Sequence, residues 1–326
     1  MLLWMKLWRV TIPAIVMAVV FSSSLAGAQT YPDKPIKLIL PYQPGGIIDF
    51  VGRVVAQRLS EVLGQQVVAE NRSGAGGVVG VTAVTRSAAD GYTLLLMDPA
   101  LVINPSLHKD VAYSLKELRA VSLVGSSPLL MVVTPQMQAK TFQEFMALAQ
   151  KGGANLNYAS AGIGTTPHLA GELFKLRTKI DAAHVPYRGS GPSIPDLMAG
   201  KVHFAFNALV VVRAYIADDR LRVLGVAGPK RLQSLPDLPT MAELGMPDFD
   251  VNLWVGIFAP RDVPDDIVQR LNGALKQAIG HEELRAAFAK MGVEPVSTSV
   301  KETETFVQSE FEKWADVISK AKIKPE

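Results

Sequence analysis

The sequence predicts an α/β fold made of two lobes. Apolar runs alternate with amphipathic segments in βαβ order, which favours a parallel sheet covered by helices. That order occurs a second time in the later part of the chain, before a helical C-terminal return. A chain of 326 residues, 48% of them hydrophobic, is long enough to form two compact units. Two such units joined in one chain predict a hinged cleft between them.

The first unit begins with the strand-like run PIKLILPY. Apolar residues then recur at helical spacing from Phe50 to Leu63, which predicts an amphipathic helix. QQVVAE and GYTLLLMD are predicted as strands, with a short helix in GGVVGVTAVTRSA between them. AVSLVG and PLLMVVTP follow as two further strands.

The second unit opens at Thr141 and Glu144, whose spacing is that of a capping box for a helix ending near Gln150. The strands NLNYAS, DAAHVPY, KVHFAF and RVLGVAG follow, with helices predicted in TPHLAGELFKLRTK and SIPDLMAG. A proline-rich stretch leads into a last strand, VNLWVGIFAP. Two helices are predicted to finish the chain, one from PDDIVQRL and one opened by Ser299 and Glu302.

Residues 1–28 have the pattern of a cleaved export signal. Lys6 and Arg9 precede the apolar run VTIPAIVMAVVF, and Ala26 and Ala28 supply the small-x-small motif that a signal peptidase cuts. The apolar run is too short to span a bilayer comfortably, which favours a signal over a membrane anchor. We therefore expect the mature protein in the periplasm.

Composition excludes several classes of function. The formal net charge of +3 falls to +1 when Lys6 and Arg9 are removed, and no basic cluster remains, so we expect no nucleic-acid partner. The chain has no cysteine, which excludes thiolate catalysis, disulfides and thiolate-bound metals. The histidines form no metal-binding pair such as H-E-x-x-H, and neither a cofactor nor a metal is expected.

Glycine-rich loops are the strongest candidates for a binding site. QPGGIID (43–49), NRSGAGGVVG (71–80) and ASAGIGTTPH (159–168) each stand between a predicted strand and a predicted helix. Glycine permits close backbone approach to a ligand, and the helix behind each loop presents unpaired N–H groups that attract anions. Asp49 either caps its own helix or meets a donor on the ligand, and both readings stay open at this point.

The third loop is the richest in polar groups. Ser160, Thr165 and Thr166 supply hydroxyls, and Pro167 suits the first helical position. His168 is either a structural hydrogen-bonding residue or a ligand contact. Enzyme motifs fail: there is no complete G-x-G-x-x-G, no P-loop and no G-x-S-x-G. An exported hydrolase or lyase with Asp49 or His168 as general base remains the alternative function.

Over nearly its whole mature length, the chain resembles the Bug-type periplasmic solute receptors of tripartite tricarboxylate transporters. The segments that carry the resemblance occur in order: YPDKPIKLILPYQPGGIIDFVGRVVAQRLSEVLGQQVVAENRSGAGG, DGYTLLL, NPSL, YASAGIGTTPHLAGELFK, HVPYRGSGPSIPDLMAGKV, LPDLPTMAELGMPDF and GIFAPRDVPDDIVQRLN.

The resemblance implies a class II periplasmic-binding-protein fold, in which two α/β lobes close on a small organic carboxylate. The first lobe would comprise residues 29–126 and 253–326, and the second lobe residues 127–252. Chain crossings would lie near Val124–Pro128 and Asn252–Val255.

The resemblance also implies a ligand site and partners. The chain would be a non-enzymatic, monomeric receptor that delivers its ligand to membrane permease subunits, or one that feeds a sensor protein instead. Asn207 is counted among the ligand contacts implied by the resemblance, although the sequence departs from the family there. The family commonly has an Asp-Asn-Leu-Pro-like run where this chain reads Asn207-Ala208-Leu209-Val210. The ligand contacts carried over onto this sequence are Tyr42, Gly46, Asp49, Ala75, Gly76, Ser160, Gly164, Thr165, Thr166, His168 and Asn207.

Overall fold

The computed structural model describes residues 31–150 and 156–325. The predicted export signal lies outside these residues. The strands are β1 (Ile36–Leu40), β2 (Val67–Asn71), β3 (Thr93–Met97), β4 (Leu118–Val133), β5 (Leu156–Ser160), β6 (Ala182–Pro186), β7 (Phe204–Ala208), β8 (Arg222–Ala227), β9 (Asn252–Pro260) and β10 (Glu294–Pro295). The helices are α1 (Ile47–Leu63), α2 (Val78–Thr85), α3 (Ala100–Leu107), α4 (Phe142–Gln150), α5 (Thr166–Thr178), α6 (Ser190–Met198), α7 (Leu209–Ala217), α8 (Asp265–Gly280), α9 (Glu282–Lys290) and α10 (Val300–Ala321).

The strands form two sheets with the same plan. The first has the order β2-β1-β3-β9-β4, with β10 at the far edge of β4. The second has the order β6-β5-β7-β4-β8. In each sheet the first three strands are parallel and the fourth runs antiparallel to them. The predicted two-lobe α/β architecture is confirmed.

One strand, β4, belongs to both sheets. It is 16 residues long and pairs with β9 as far as Pro128, whereas from Leu129 onward it pairs with β7 and β8. We predicted two strands here, because the Gly-Ser-Ser-Pro run at 125–128 interrupts the apolar pattern. That prediction was wrong: the partner strands on both sides hold this stretch extended. The lobe boundaries drawn from the resemblance stay a prediction.

Three helices escaped the sequence analysis. α3 is largely buried and contains Pro105, so it shows no amphipathic period. α7 follows β7 without a break, and its apolar residues merge with those of the strand. α9 is separated from α8 only by His281. The prediction of two helices at the end of the chain was therefore incomplete, since three are present.

The last helix, α10, connects the two lobes. It begins at Ser299 with the predicted capping box and packs on α3 of the first lobe and α5 of the second. Its Glu310 is buried and accepts hydrogen bonds from the indole N–H groups of Trp254 (2.9 Å) and Trp314 (3.0 Å). A buried carboxylate with two such partners fixes the position of the helix against β9.

Candidate functional site

A cavity of about 1170 Å³ lies between the two lobes. Its walls come from the loops that follow β1, β2 and β3 in the first lobe and β5 and β6 in the second. These are the carboxyl ends of parallel strands, the place where ligands of open α/β sheets bind. The cavity is thus the candidate ligand site.

Tyr42 and Asp98 form a polar pair in the first-lobe wall. The Tyr42 hydroxyl donates to Oδ1 of Asp98 at 2.8 Å, and the backbone N–H of Ala100 donates to the same oxygen at 3.0 Å. Burial raises the pKa of the Asp98 carboxyl above its ordinary value, and burial next to this acid raises the pKa of Tyr42 well above its own. The pair places a partly buried carboxyl group on the cavity wall.

The second glycine loop supplies backbone donors to the same wall. Gly76 has a φ of +61°, and its carbonyl accepts a hydrogen bond from the Asn104 side chain at 3.1 Å. Asn104 is itself buried and lines the cavity. The backbone N–H groups of Ala75 and Gly76 make no hydrogen bond with any described residue. The left-handed turn, held by Asn104, therefore leaves two donors available at the cavity.

The first glycine loop lies apart from the cavity lining. Asp49 is buried and accepts hydrogen bonds from the Gly45 backbone N–H (3.1 Å), Arg53 Nε (3.0 Å) and Asn71 Nδ2 (2.9 Å). These donors, Arg53 above all, lower the pKa of the Asp49 carboxyl to about 2. Of the two readings left open for Asp49, the structure supports its role in holding the loop and first helical turn.

The third glycine loop is held together by its own polar groups. The Ser160 hydroxyl accepts from the Gly162 N–H at 3.1 Å, and the Thr165 hydroxyl donates to the Gly162 carbonyl at 2.7 Å. Gly164 has a φ of +76°, and a Cβ there would overlap the side chain of Leu107 on α3. Gly164 is therefore a point where the backbone of the second lobe meets the first lobe closely.

Two histidines, the buried His168 and the half-buried His184, support this loop from behind. The Gly164 N–H donates to Nδ1 of His168 at 3.0 Å, and the His168 and His184 rings stack with centroids 4.0 Å apart. Burial lowers the pKa of both histidines to about 4, and for His184 the neighbouring His168 adds to the effect. A neutral His168 is needed, because only an unprotonated Nδ1 can accept the Gly164 N–H.

Ser160 and His184 also form a serine–histidine contact, with Oγ and Nε2 2.7 Å apart. Such a contact is a prerequisite for an activated nucleophile. Ser160, however, is only 3% exposed and does not line the cavity, and its hydroxyl is engaged with the Gly162 backbone. The contact supports the loop and does not present a nucleophile to the cavity.

Thr166 is the hydroxyl of this loop that remains available. It lines the cavity, and its side chain makes no hydrogen bond with any described residue. It stands at the start of α5, where Pro167 occupies an early helical position as predicted. Ser190, at the start of α6, lines the same cavity.

The structure brings some of the predicted site residues together and not others. Asn207 on β7 is 2% exposed, and its Nδ2 has no hydrogen-bond partner among the described residues. The predicted residues that line the cavity are Tyr42, Ala75, Gly76, Gly164, Thr165 and Thr166. Those outside its lining are Gly46, Asp49, Ser160, His168 and Asn207.

Among the polar cavity residues that the sequence analysis missed are Asp98, Asn104 and Ser190. Asp98 directly follows β3, so its place at the carboxyl end of a central strand was a usable signal. Asn104 belongs to the NPSL segment noted in the resemblance, but α3 itself was not predicted. Within residues 31–150 and 156–325 there is no group of side chains suited to hold a metal ion, and no helix long and apolar enough to cross a membrane.

Comparison with known proteins shows which family has this architecture. Residues 51–323 match the family described as the tripartite tricarboxylate transporter family receptor, TctC. Protein BugT of Bordetella pertussis is 37% identical over 294 residues, covering 89% of this chain and 90% of BugT.

Two solved structures from Rhodopseudomonas palustris resemble the protein along its length. Rpa4515 with adipate is 31% identical and covers 91% of this chain and 100% of its own, with a TM-score of 0.76. MatC with bound malate is 29% identical and covers 88% of this chain and 100% of its own, with a TM-score of 0.71.

The fold and the interlobe cavity are those of a periplasmic solute-binding protein. More narrowly, the chain belongs to the TctC family of tripartite tricarboxylate transporter receptors. The resemblance to Bug-type receptors and the fold class expected from it are confirmed.

Proposed function

We propose that the protein is an extracytoplasmic receptor that binds a small organic carboxylate between its lobes and delivers it to a membrane transporter. The observation that carries the proposal is the cavity at the strand ends of both lobes, into which each lobe turns polar groups without protein partners. Membership of the TctC receptor family also supports the proposal.

Backbone donors suit the proposed ligand. In the first lobe the N–H groups of Ala75 and Gly76 are available, and in the second those of Ala161 and Ile163 make no hydrogen bond with any described residue. Hydrogen bonds from neutral donors to a carboxylate are short and strong, so no cationic side chain is required. The Thr166 hydroxyl adds a side-chain donor on the second lobe.

Closure of the cleft follows from this division of donors. A carboxylate that touches only one wall gains half of its contacts, whereas a closed cleft lets both walls contribute. The ligand stabilises the closed state by its higher affinity for that state. In the proposal, the membrane permease subunits recognise the closed receptor.

The relatives support a carboxylate as the ligand. One solved relative holds adipate and another malate, both of which are dicarboxylates. We propose export by cleavage after residue 28, action as a monomer, and no chemical turnover of the ligand. The buried Ser160 and its contact with His184 give no support to a hydrolase.

The decisive experiment is calorimetric titration of the mature protein with mono-, di- and aromatic carboxylates, followed by analysis of the recovered ligand. We expect one-to-one binding of at least one acid and its recovery unchanged. Product formation at stoichiometric excess of ligand would overturn the receptor proposal.

Delivery needs a second measurement. Cells that express the permease subunits should take up the radiolabelled ligand only when the receptor is present. Binding without any receptor-dependent uptake would favour a receptor that feeds a sensor protein.

A further inference from the structure

Asp98 places a negative charge in a cavity proposed to hold an anion. Its carboxyl group stands directly after β3, partly buried, and lines the cavity between the lobes. Like charges in a cleft that excludes water repel strongly. Oδ1 of this carboxyl group already holds Tyr42 and the start of α3, so the question is what the second oxygen does.

One oxygen of Asp98 is open. The hydrogen bonds from Tyr42 and Ala100 both end on Oδ1, and Oδ2 accepts none from any other described residue. Oδ2 is not among the buried atoms that lack a partner, so it is accessible from the cavity. Tyr42 and the start of α3 therefore hold the carboxyl group in one orientation, with a single acceptor free.

The other charged side chains of the cavity do not offset Asp98. Lys109, Asp110 and Lys324 also line the cavity, but all three are exposed and lie at its solvent side. Water and salt screen such charges over short distances. In a closed cleft that excludes water, a donor group on the ligand is positioned to satisfy Oδ2.

We infer that the ligand carries a hydrogen-bond donor, an ammonium or a hydroxyl group, next to its carboxylate, and that Asp98 is the residue that selects for it. Free backbone N–H groups on both walls receive the carboxylate, while Oδ2 of Asp98 receives the donor. The inference rests on the proposed function and adds a second requirement to it. An ammonium group would also neutralise the charge of Asp98.

Matched ligand series test this selection. Each series keeps one carbon skeleton and varies one substituent: succinate, malate and aspartate; glutarate, 2-hydroxyglutarate and glutamate; phenylacetate, mandelate and phenylglycine. In the best-binding series we expect the hydroxy or amino member to bind about tenfold to a hundredfold more tightly than the unsubstituted acid. Two ratios of affinity are compared, that of the hydroxy acid and that of the amino acid, each to the unsubstituted acid. The larger ratio identifies the donor group.

Two variants locate the effect. Asp98→Asn keeps an oxygen acceptor for Tyr42 and Ala100 but removes the charge, and we expect the preference to fall to within about threefold. Asp266→Asn removes an exposed charge on α8, outside the lining of the cavity, and should leave the preference unchanged. Denaturant unfolding of both variants verifies that they are folded.

A measurement on the unaltered protein keeps the test independent of the variants. The affinity for the unsubstituted acid should rise as pH falls, because a proton on the Asp98 carboxyl group, whose pKa burial raises, removes the repulsion and provides a donor. If the unsubstituted acid binds at neutral pH as tightly as the hydroxy and amino members of its series, or more tightly, the inference is overturned. The proposal of a carboxylate receptor is then unaffected. Failure of every series to bind overturns both.

Discussion

The two walls of the cavity differ in how their polar groups are used. In the second lobe, the loop that precedes α5 satisfies most of its own donors and acceptors, through Ser160, Thr165 and the His168 ring. In the first lobe, the turn at Ala75–Gly76 and the Asp98 carboxyl leave polar atoms without protein partners. The loop of the second lobe is thus preformed by its own side chains, although the N–H groups of Ala161 and Ile163 stay free on that side as those of Ala75 and Gly76 do on the other. The partly buried carboxyl acceptor, Asp98, stands on the first lobe, so that wall has the means of discriminating between ligands.

The largest effect on the preformed side is expected at Gly164. Gly164→Ala places a Cβ at a φ of +76° and against Leu107. We expect a loss of about 1–2 kcal/mol in the free energy of unfolding from the backbone strain. The overlap involves only Cδ2 of Leu107, the far end of a flexible side chain that can turn aside, so the positive φ is the main cost.

Gly273 provides the matched control for that change. It lies in α8, where an added Cβ meets nothing within 4 Å. Gly273→Ala should stabilise the protein by about 0.5–1 kcal/mol, because glycine is unfavourable inside a helix. If both variants unfold at the same denaturant concentration, Gly164 is not under the constraint described.

The second effect is a pH dependence of the free energy of unfolding that arises from His168. Burial lowers the pKa of His168 in the folded protein from the ordinary value of 6.5 to about 4, so between these values the unfolded chain binds a proton that the folded protein does not. Stability is therefore full above pH 6.5 and falls as pH decreases towards 4. For one histidine the loss is on the order of 2 kcal/mol. Denaturant unfolding between pH 7.5 and 4 measures it.

His168→Asn should reduce this pH dependence, since asparagine offers the Gly164 N–H an acceptor and does not titrate; the part due to His184, whose pKa is also lowered to about 4, should remain. His281→Asn, an exposed position between α8 and α9, serves as control and should leave the dependence as it is. An unaltered slope in His168→Asn would show that the buried ring does not account for it.

A smaller effect separates two adjacent threonines. The Thr165 hydroxyl is bonded within the loop, whereas the Thr166 hydroxyl lines the cavity without a protein partner. Thr165→Val should cost about 1 kcal/mol in the free energy of unfolding. Thr166→Val should leave stability nearly unchanged and weaken ligand binding about tenfold in calorimetry. The reverse pattern would contradict the assignment of the two side chains.

The smallest effect on stability is expected at Gly46, where an added Cβ meets nothing within 4 Å. Gly46→Val should change the free energy of unfolding by less than about 0.5 kcal/mol. From the prediction that the first glycine loop meets the ligand, we expect this variant to lose binding. Unaltered affinity in calorimetry would remove that loop from the site.

The sequence predicted the architecture well, because hydrophobic periodicity and capping residues are local signals. The capping-box spacing of Ser299 and Glu302 predicted the start of α10, and the strand-to-helix loops indicated where the cavity lies. The continuity of β4 through 125–128 was not predictable, because it depends on partner strands that are distant in the chain.

The site was predicted only in part. Glycine-rich loops are visible in a sequence, but the partners that their backbone N–H groups find are not. His168 and Asp49 satisfy their own loops. Asp98 could be noticed from its place directly after β3, but its contact with Tyr42, which is 56 positions away, is not visible in the sequence.

The passage of β4 between the sheets governs how the molecule can move. Pro128, the last residue paired with β9, has no N–H to donate. The N–H of the next residue, Leu129, donates to the carbonyl of Val251, which directly precedes β9. Bending at this step breaks few hydrogen bonds, while each sheet keeps its own ladder. A label pair placed across the cleft should thus report rotation of two rigid halves about one narrow line, with no sliding of strands past one another.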